Sequence, residues 1–351
     1  MLASLKLRNF RCFESLDCGL GDNVTIFMGD NAQGKTSILE SICFLLRLQS
    51  PRTSLAAEAI RVGEKAFGIS GEFRGRGYQF AFDGKRRRLK IDGEELKRGD
   101  YLESSGLVVW IGNNDLQLIS GSGEQRRRYL DFAASQLHPG YRPALKAYEK
   151  ALRTRNYLLK RDASPNWAQI DAYTKVLIHH GETVTTIRSD LVEALQPWAE
   201  DAQRRISGKG EVLVLTYANA SGDDFTRSLE ESRSEQLRKR QTVVGPHRDD
   251  VELTISGMPA SQFASEGQQR TIAISMKLAQ AKLLEELRRE PPVLLVDDVF
   301  GELDTARRNA LLTYLPAASQ KLITTTHLDW ADGALKDAAR IYAVEQGRIE
   351  G

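Results

Sequence analysis

The segment Gly29-Asp-Asn-Ala-Gln-Gly34-Lys35-Thr36 constrains this chain more than any other, because it fits G-x-x-x-x-G-K-[ST] in the setting that pattern needs. A strand-like run, 24–28, precedes it, and an apolar helical stretch, 37–48, comes after it. In a strand–turn–helix unit of this kind the glycines let backbone N–H groups close around phosphates, and the helix N-terminus adds the positive end of its dipole. Lys35 is then placed to meet the β- and γ-phosphates of ATP, and the Thr36 hydroxyl to ligate Mg²⁺. Gly29, Asn31, Gly34 and Ser37 complete the ATP-binding set expected on this loop.

A phosphate loop needs a carboxylate on a neighbouring strand, and Pro292-Val-Leu-Leu-Val-Asp297-Asp298 supplies one at the end of an apolar run. Asp297 is the expected metal ligand. Asp298 is the expected catalytic group that polarises the attacking water, with a turn cap as its simpler reading. Lys35 and Asp297 are separated by most of the chain, which a compact nucleotide kinase or small GTPase would not do. Just before the second element, Ala264-Ser265-Glu266-Gly267-Gln268-Gln269-Arg270 opens a long helix. Ser265, Gly267 and Gln268 can present a hydroxyl and backbone N–H groups to a phosphate. Taken alone, Ser265 and Gln268 also read as a capping box. Beyond this helix the strings stand in the order used by ABC-type ATPases: Asp297-Asp298, then Gly301-Glu-Leu-Asp304 as a D-loop, then Lys321-Leu-Ile-Thr-Thr-Thr-His327. The phosphate loop of one protomer already surrounds its nucleotide, so Ser265 is expected to serve the nucleotide of a second protomer in an ATP-dependent homodimer. His327 comes directly after a strand-like run, where its imidazole can hydrogen-bond the γ-phosphate; an ordinary surface histidine is the alternative.

Both chain ends carry this α/β texture, and a helical texture lies between them. The expected fold class is α/β: an ABC-type ATPase head, that is, a P-loop NTPase with a mixed sheet and an antiparallel β subdomain, plus a helical arm domain. The head is expected from 1–123 and 241–351, and the arm from 124–240. Period-two alternation from Gly68 to about Ile111 predicts a small antiparallel sheet, in which Lys85-Arg-Arg-Arg88 is the one feature with chemistry. Pro139, Pro143, Pro165 and Pro197 mark expected breaks between arm helices.

Forty-nine Lys and Arg against 47 Asp and Glu leave a net charge of +2, which excludes a histone-like polycation. Locally the balance differs. Between Glu124 and Arg161 ten basic residues face three acidic ones, a stripe suited to phosphate contacts. Arg126, Arg127, Arg128, Lys146, Lys150 and Arg153 are the DNA-binding candidates, with a merely solvated helix face as the competing explanation. No base-reading motif accompanies them, so DNA would be bound with little sequence specificity. The three cysteines, Cys12, Cys18 and Cys43, show no metal or disulfide spacing, and no apolar run approaches a membrane span, so a cytoplasmic location is expected.

Several strings together resemble the bacterial RecF family: Asn9-Phe-Arg-Cys-Phe13, 29–37, Arg126-Arg-Arg-Tyr-Leu-Asp131, Thr154-Arg-Asn-Tyr-Leu-Leu-Lys160, Gly245-Pro-His-Arg-Asp-Asp250, 265–270 and 297–304. The resemblance spans nearly the whole chain. It implies an ATP-dependent DNA-binding ATPase of recombinational repair, replication restart and the SOS response, with double-stranded or gapped DNA as its partner. Its ATP-bound dimer would clamp DNA at single-strand gaps and promote recombinase loading with the partners RecO and RecR, and slow hydrolysis would release it. The chain departs from the family's Pro-Glu-Asp before the basic helix, where Asn113-Asn-Asp115 stands, and Gln117 is the candidate sensor there. Asp298 takes the place of the glutamate of transporter-type ABC ATPases, as the resemblance implies. The alternative reading is a nucleotide-dependent protein-interaction switch that does not touch DNA.

Overall fold

The strands β1 (Ser4–Phe10) and β2 (Phe13–Gly19) alternate buried and exposed residues, and they pair as an antiparallel hairpin. A computed structural model describes residues 1–53, 55–161 and 164–351, and the chain divides into two units, 1–115 with 284–351, and 116–283. In the first unit, β3 (Val24–Met28) leads into the phosphate loop. The next strands, β4 (Phe67–Phe73), β5 (Arg76–Phe82), β6 (Arg87–Ile91) and β7 (Glu94–Glu95), extend the hairpin into one antiparallel sheet of order β2-β1-β4-β5-β6-β7. Its inner face buries Leu7, Ile69, Phe80 and Leu89. Phe10, Phe67 and Phe80 pack there against Phe44 of the phosphate-loop helix Lys35–Arg47, with ring centroids 5.2–6.0 Å apart.

The period-two reading of the sequence overextends this sheet. Strand β8 (Val108–Gly112) leaves it and pairs in parallel with β12 (Val293–Asp297). All five residues of β8 are buried, and a strand buried on both faces belongs in a parallel sheet rather than a half-exposed antiparallel one. The central sheet has the order β15-β14-β3-β13-β12-β8, with β13 (Lys321–Thr325), β14 (Arg340–Glu345) and β15 (Arg348–Glu350). Only β15 runs antiparallel to its neighbour. Because β13 pairs with both β3 and β12, Thr325 lies beside Met28 and Thr324 beside Asp297. The carboxyl ends of β3 and β12 therefore meet at one edge, where an open α/β sheet places its ligands.

The second unit packs the helices Gly123–Leu137, Tyr141–Arg161 and Trp167–Ser207 with β9 (Leu213–Ala218), β10 (Asp250–Ile255) and β11 (Met258–Pro259). Strand β10 pairs with β9 along its whole length, so the unit takes in 241–283 as well as 124–240. The division falls inside the helix Glu266–Arg288, which leaves the Ser265 turn in this unit. Pro197 does not break a helix; the helix Trp167–Ser207 runs through it. An interior proline costs about 3 kcal/mol, but Leu191, Val192, Leu195 and Ala199 are buried on both sides of it, and this burial holds the helix together.

Candidate active site

The phosphate loop is fixed by positions where only glycine fits. A Cβ on Gly29 would lie 2.2 Å from the Val344 carbonyl oxygen, and one on Gly34 2.6 Å from the Cys12 sulfur. Gly34 also takes φ +111°, in the left-handed region that side chains avoid. The loop hands over to the helix Lys35–Arg47 at this residue. Lys35 is buried, and its ammonium donates to the carbonyls of Gly29 (2.5 Å) and Asp30 (2.8 Å). Burial lowers its pKa, while the carboxylates of Asp298, Asp297 and Asp30 act in the opposite direction. Asn31 is exposed at the loop tip, and Ser37 is buried in the first helical turn with its N–H on the Gly34 carbonyl.

Asp297 stands at the end of β12 facing this loop. Its Oδ1 accepts from the Thr36 and Thr324 hydroxyls, each at 2.8 Å. Burial pushes the Asp297 carboxyl above its usual range, the two hydroxyl hydrogen bonds oppose this, and the neighbouring charge of Asp298 adds to the rise. The next residue, Asp298, has φ +54°, and its N–H is held by the Thr324 carbonyl (3.2 Å) and hydroxyl (3.0 Å). Among the described residues its carboxylate accepts no hydrogen bond, so both oxygens remain open beside the charge of Lys35.

His327 lies beyond β13 with half of its side chain exposed, 3.6 Å from Asp329. A Cβ on Gly301 would lie 3.9 Å from its Nε2, so the histidine sits beside the turn just after Asp298. Asp304 caps the helix Thr305–Tyr314 by accepting from the Arg307 N–H at 2.9 Å. In the second unit, Ser265 and Gln268 form the capping box: the Ser265 N–H donates to Gln268 Oε1 (2.9 Å) and the Gln268 N–H to Ser265 Oγ (3.3 Å). Ser265 remains exposed, and the Gly267 carbonyl accepts from Thr271. Asn113 and Asn114 are exposed, Asp115 accepts from the Gly112 N–H at 2.8 Å, and Gln117 is exposed.

Residues 4–240 match a family model described as an AAA domain. The DNA replication and repair protein RecF of Synechococcus sp. is 37% identical, over 99% of this chain and 97% of that protein. RecF of Halalkalibacterium halodurans is 35% identical over 99% of this chain and 98% of its own length. The chain belongs to the RecF family. A solved structure of the recombination mediator protein RecF with ATP superimposes with a TM-score of 0.89 at 28% identity, covering 99% of this chain and 96% of that one. An Smc head matches with a TM-score of 0.56 at 15% identity over 99% of this chain and 96% of that one, a likeness of fold alone. The fold class read from the sequence is the one observed, an ABC-type ATPase head, and the RecF family to which the chain belongs is one of ATPases.

Key residues of two of the strings that carried the RecF resemblance are tied into the fold. Arg155 is 1% exposed and donates to the hydroxyls of Thr174 (3.0 Å) and Thr242 (2.7 Å); burial lowers its pKa to about 10. Asn156 accepts from the Thr242 N–H and hydroxyl. His247 bonds the Tyr148 hydroxyl (2.6 Å) and the Thr242 carbonyl (3.1 Å), and burial lowers its pKa to about 4. Asp249 is fully buried and accepts from Thr185, Tyr217 and the Ala220 N–H.

The basic candidates separate in the same way. Arg126 grips both oxygens of Asp250 (2.6 and 2.8 Å) and the carbonyls of Leu118 and Gly121. Arg127 donates to the Asp249 carbonyl at 2.7 Å. Both are therefore spent on the fold. Arg128, Lys146, Lys150 and Arg153 are exposed, and the last three lie at helical spacing on one face of Tyr141–Arg161.

Sequence reasoning missed Glu40. It is fully buried in the phosphate-loop helix and accepts two hydrogen bonds from Arg11 (2.7 and 2.9 Å), one from Ser50 (2.6 Å) and one from Arg52 (3.4 Å). It thereby ties the β1–β2 turn and the 50–53 segment to that helix. The signal was a lone carboxylate inside the apolar run Ile38-Leu-Glu-Ser-Ile42. Among the described residues no helix is long and apolar enough to cross a membrane.

Proposed function

We propose that this chain is an ATP-dependent DNA-binding protein of recombinational repair and replication. Its phosphate loop would hold ATP while the Ser265 turn of a second copy completes the site. The observation that carries this reading is the joint geometry of Lys35, Thr36, Asp297 and Asp298 at one edge of the central sheet. The Thr36 hydroxyl and the Asp297 carboxylate form an all-oxygen donor pair that suits Mg²⁺, a hard ion that neutralises phosphate charge when bound. Lys35 would orient the β- and γ-phosphates, and Asp298, with its open oxygens, would take the proton of the attacking water. His327, beside Gly301, would contact the γ-phosphate. The exposed cations Arg128, Lys146, Lys150 and Arg153 would meet DNA phosphates.

By membership of the RecF family, the ATP-bound dimer would clamp DNA at single-strand gaps, act with RecR and RecO in recombinase loading, and let go after slow hydrolysis. The test is retention on DNA with and without ATP across a salt series. Tight retention that needs ATP and weakens steeply with salt is the expected result. No retention on DNA, with or without ATP and even at low salt, would favour a switch that binds protein alone.

A further inference from the structure

We infer that the outward face of the antiparallel sheet is a second DNA-binding surface, one that takes the phosphate backbone of duplex DNA between Arg8 and Arg88. The inference rests on the DNA reading above but uses different residues, on the first unit. Strand register places Ser15, Arg8, Gly68, Ala81 and Arg88 in one row across β2, β1, β4, β5 and β6. Their neighbours Leu7, Ile69, Phe80 and Leu89 are buried, so by the alternation of a strand this row points outward. Arg8 and Arg88 are exposed, and among the described residues neither has an ion-pair partner. Three strand spacings, about 14 Å, separate the strands that carry them.

The floor between the two arginines is open. Gly68 and Ala81 lie there, and a Cβ on Gly68 would meet nothing within 4 Å. The row two residues along, Asp17, Lys6, Ser70, Gln79, Lys90 and Glu95, has its cations opposite acids, with Lys6 2.8 Å from Asp17. Acids directly opposite are thus lacking along the Arg8–Arg88 row, which exposed Lys85 and Arg86 adjoin at the β5–β6 turn. Asp83, the acid of that turn, accepts the Lys85 and Arg86 N–H groups at 3.0 and 2.7 Å and offsets part of the charge of Arg88 and Arg86, leaving the turn with an excess of positive charge. A flat lane edged by free guanidinium groups fits a phosphate backbone. Neither row carries an aromatic ring, so unpaired bases have nothing to stack on, and the occupant is duplex rather than single-stranded.

The test compares the parent protein with Arg8→Ser/Arg88→Ser and with Gly68→Glu, by anisotropy of a labelled mixed-sequence duplex, with ATP, over a salt series. Two lost phosphate contacts should lower the log-affinity versus log-salt slope by about two and weaken binding roughly tenfold at moderate salt. Gly68→Glu should weaken binding in the same direction, and ATP affinity should stay at the parent value in both variants. Unchanged duplex affinity and slope would overturn the inference, as would a loss confined to single-stranded DNA. If Lys146→Glu/Lys150→Glu weakens binding while the arginine variants do not, only this surface is refuted. A parent that binds no duplex refutes both readings.

Discussion

The buried charged residues of the second unit and the carboxylates beside the phosphate loop of the first are used differently. In the second unit the hydrogen bonds of the buried charges are filled from within the fold, as are those of Glu40 in the first. Arg188 is 3% exposed and holds Asp131, the Tyr141 hydroxyl and the Pro246 carbonyl, while Asp249 takes three donors. In the first unit, Asp297 and Asp298 keep open oxygens beside Lys35, at a cost visible in the raised pKa of Asp297 and the left-handed backbone of Asp298. A saturated polar network rigidifies a fold, whereas an unsaturated one is poised for a ligand. Substitutions should therefore cost activity at the phosphate loop and stability in the saturated networks.

The largest expected effect is at Lys35. Lys35→Ala removes the charge facing the phosphates and should abolish ATP binding measured by calorimetry, with the melting temperature nearly unchanged. Asp298→Asn should leave ATP binding intact and slow hydrolysis by about 10²–10⁴-fold, because the amide keeps the shape and cannot take a proton. Unchanged turnover would give the water-positioning role to another group. In the second unit, Arg188→Met leaves the Asp131 charge without its partner and should destabilise the unit by about 3–5 kcal/mol in urea unfolding. ATP affinity should not change.

The smallest effect concerns pH. His247 is neutral in the fold because burial lowers its pKa to about 4, whereas an unfolded histidine titrates near 6.5. The unfolded state therefore binds the proton first. Stability from this residue is present above about pH 6.5 and is lost as pH falls towards 4, by up to about 3 kcal/mol. His247→Gln should flatten that part of the stability profile; an unchanged slope would show that other groups cause it.

The contrast also explains why some features could be read from the sequence and others could not. The phosphate loop and Asp297 were legible because each is a local string whose meaning comes from its flanking strand. Glu40 was not, because its partners Arg11, Ser50 and Arg52 come together only in the folded unit. Arg126 and Arg127 read as part of a basic stripe for the same reason: Asp250 and the carbonyls that occupy them lie far along the chain or on the opposite side of a turn. Strand β8 alternates too little over five residues to reveal which sheet it joins, and Pro197 is overridden by packing that composition does not display.

The central claim is that one nucleotide site is shared by two copies of the chain, and Ser265→Arg tests it most directly. The variant should bind ATP as the parent does yet fail to dimerise with ATP in sedimentation or gel filtration. Mixed with Lys35→Ala, it should regain part of the ATPase activity, because one composite site in a mixed dimer has both elements intact. If Ser265→Arg alone dimerises with ATP as readily as the parent, Ser265 is only the helix cap seen in its bonds to Gln268, and the shared site is contradicted.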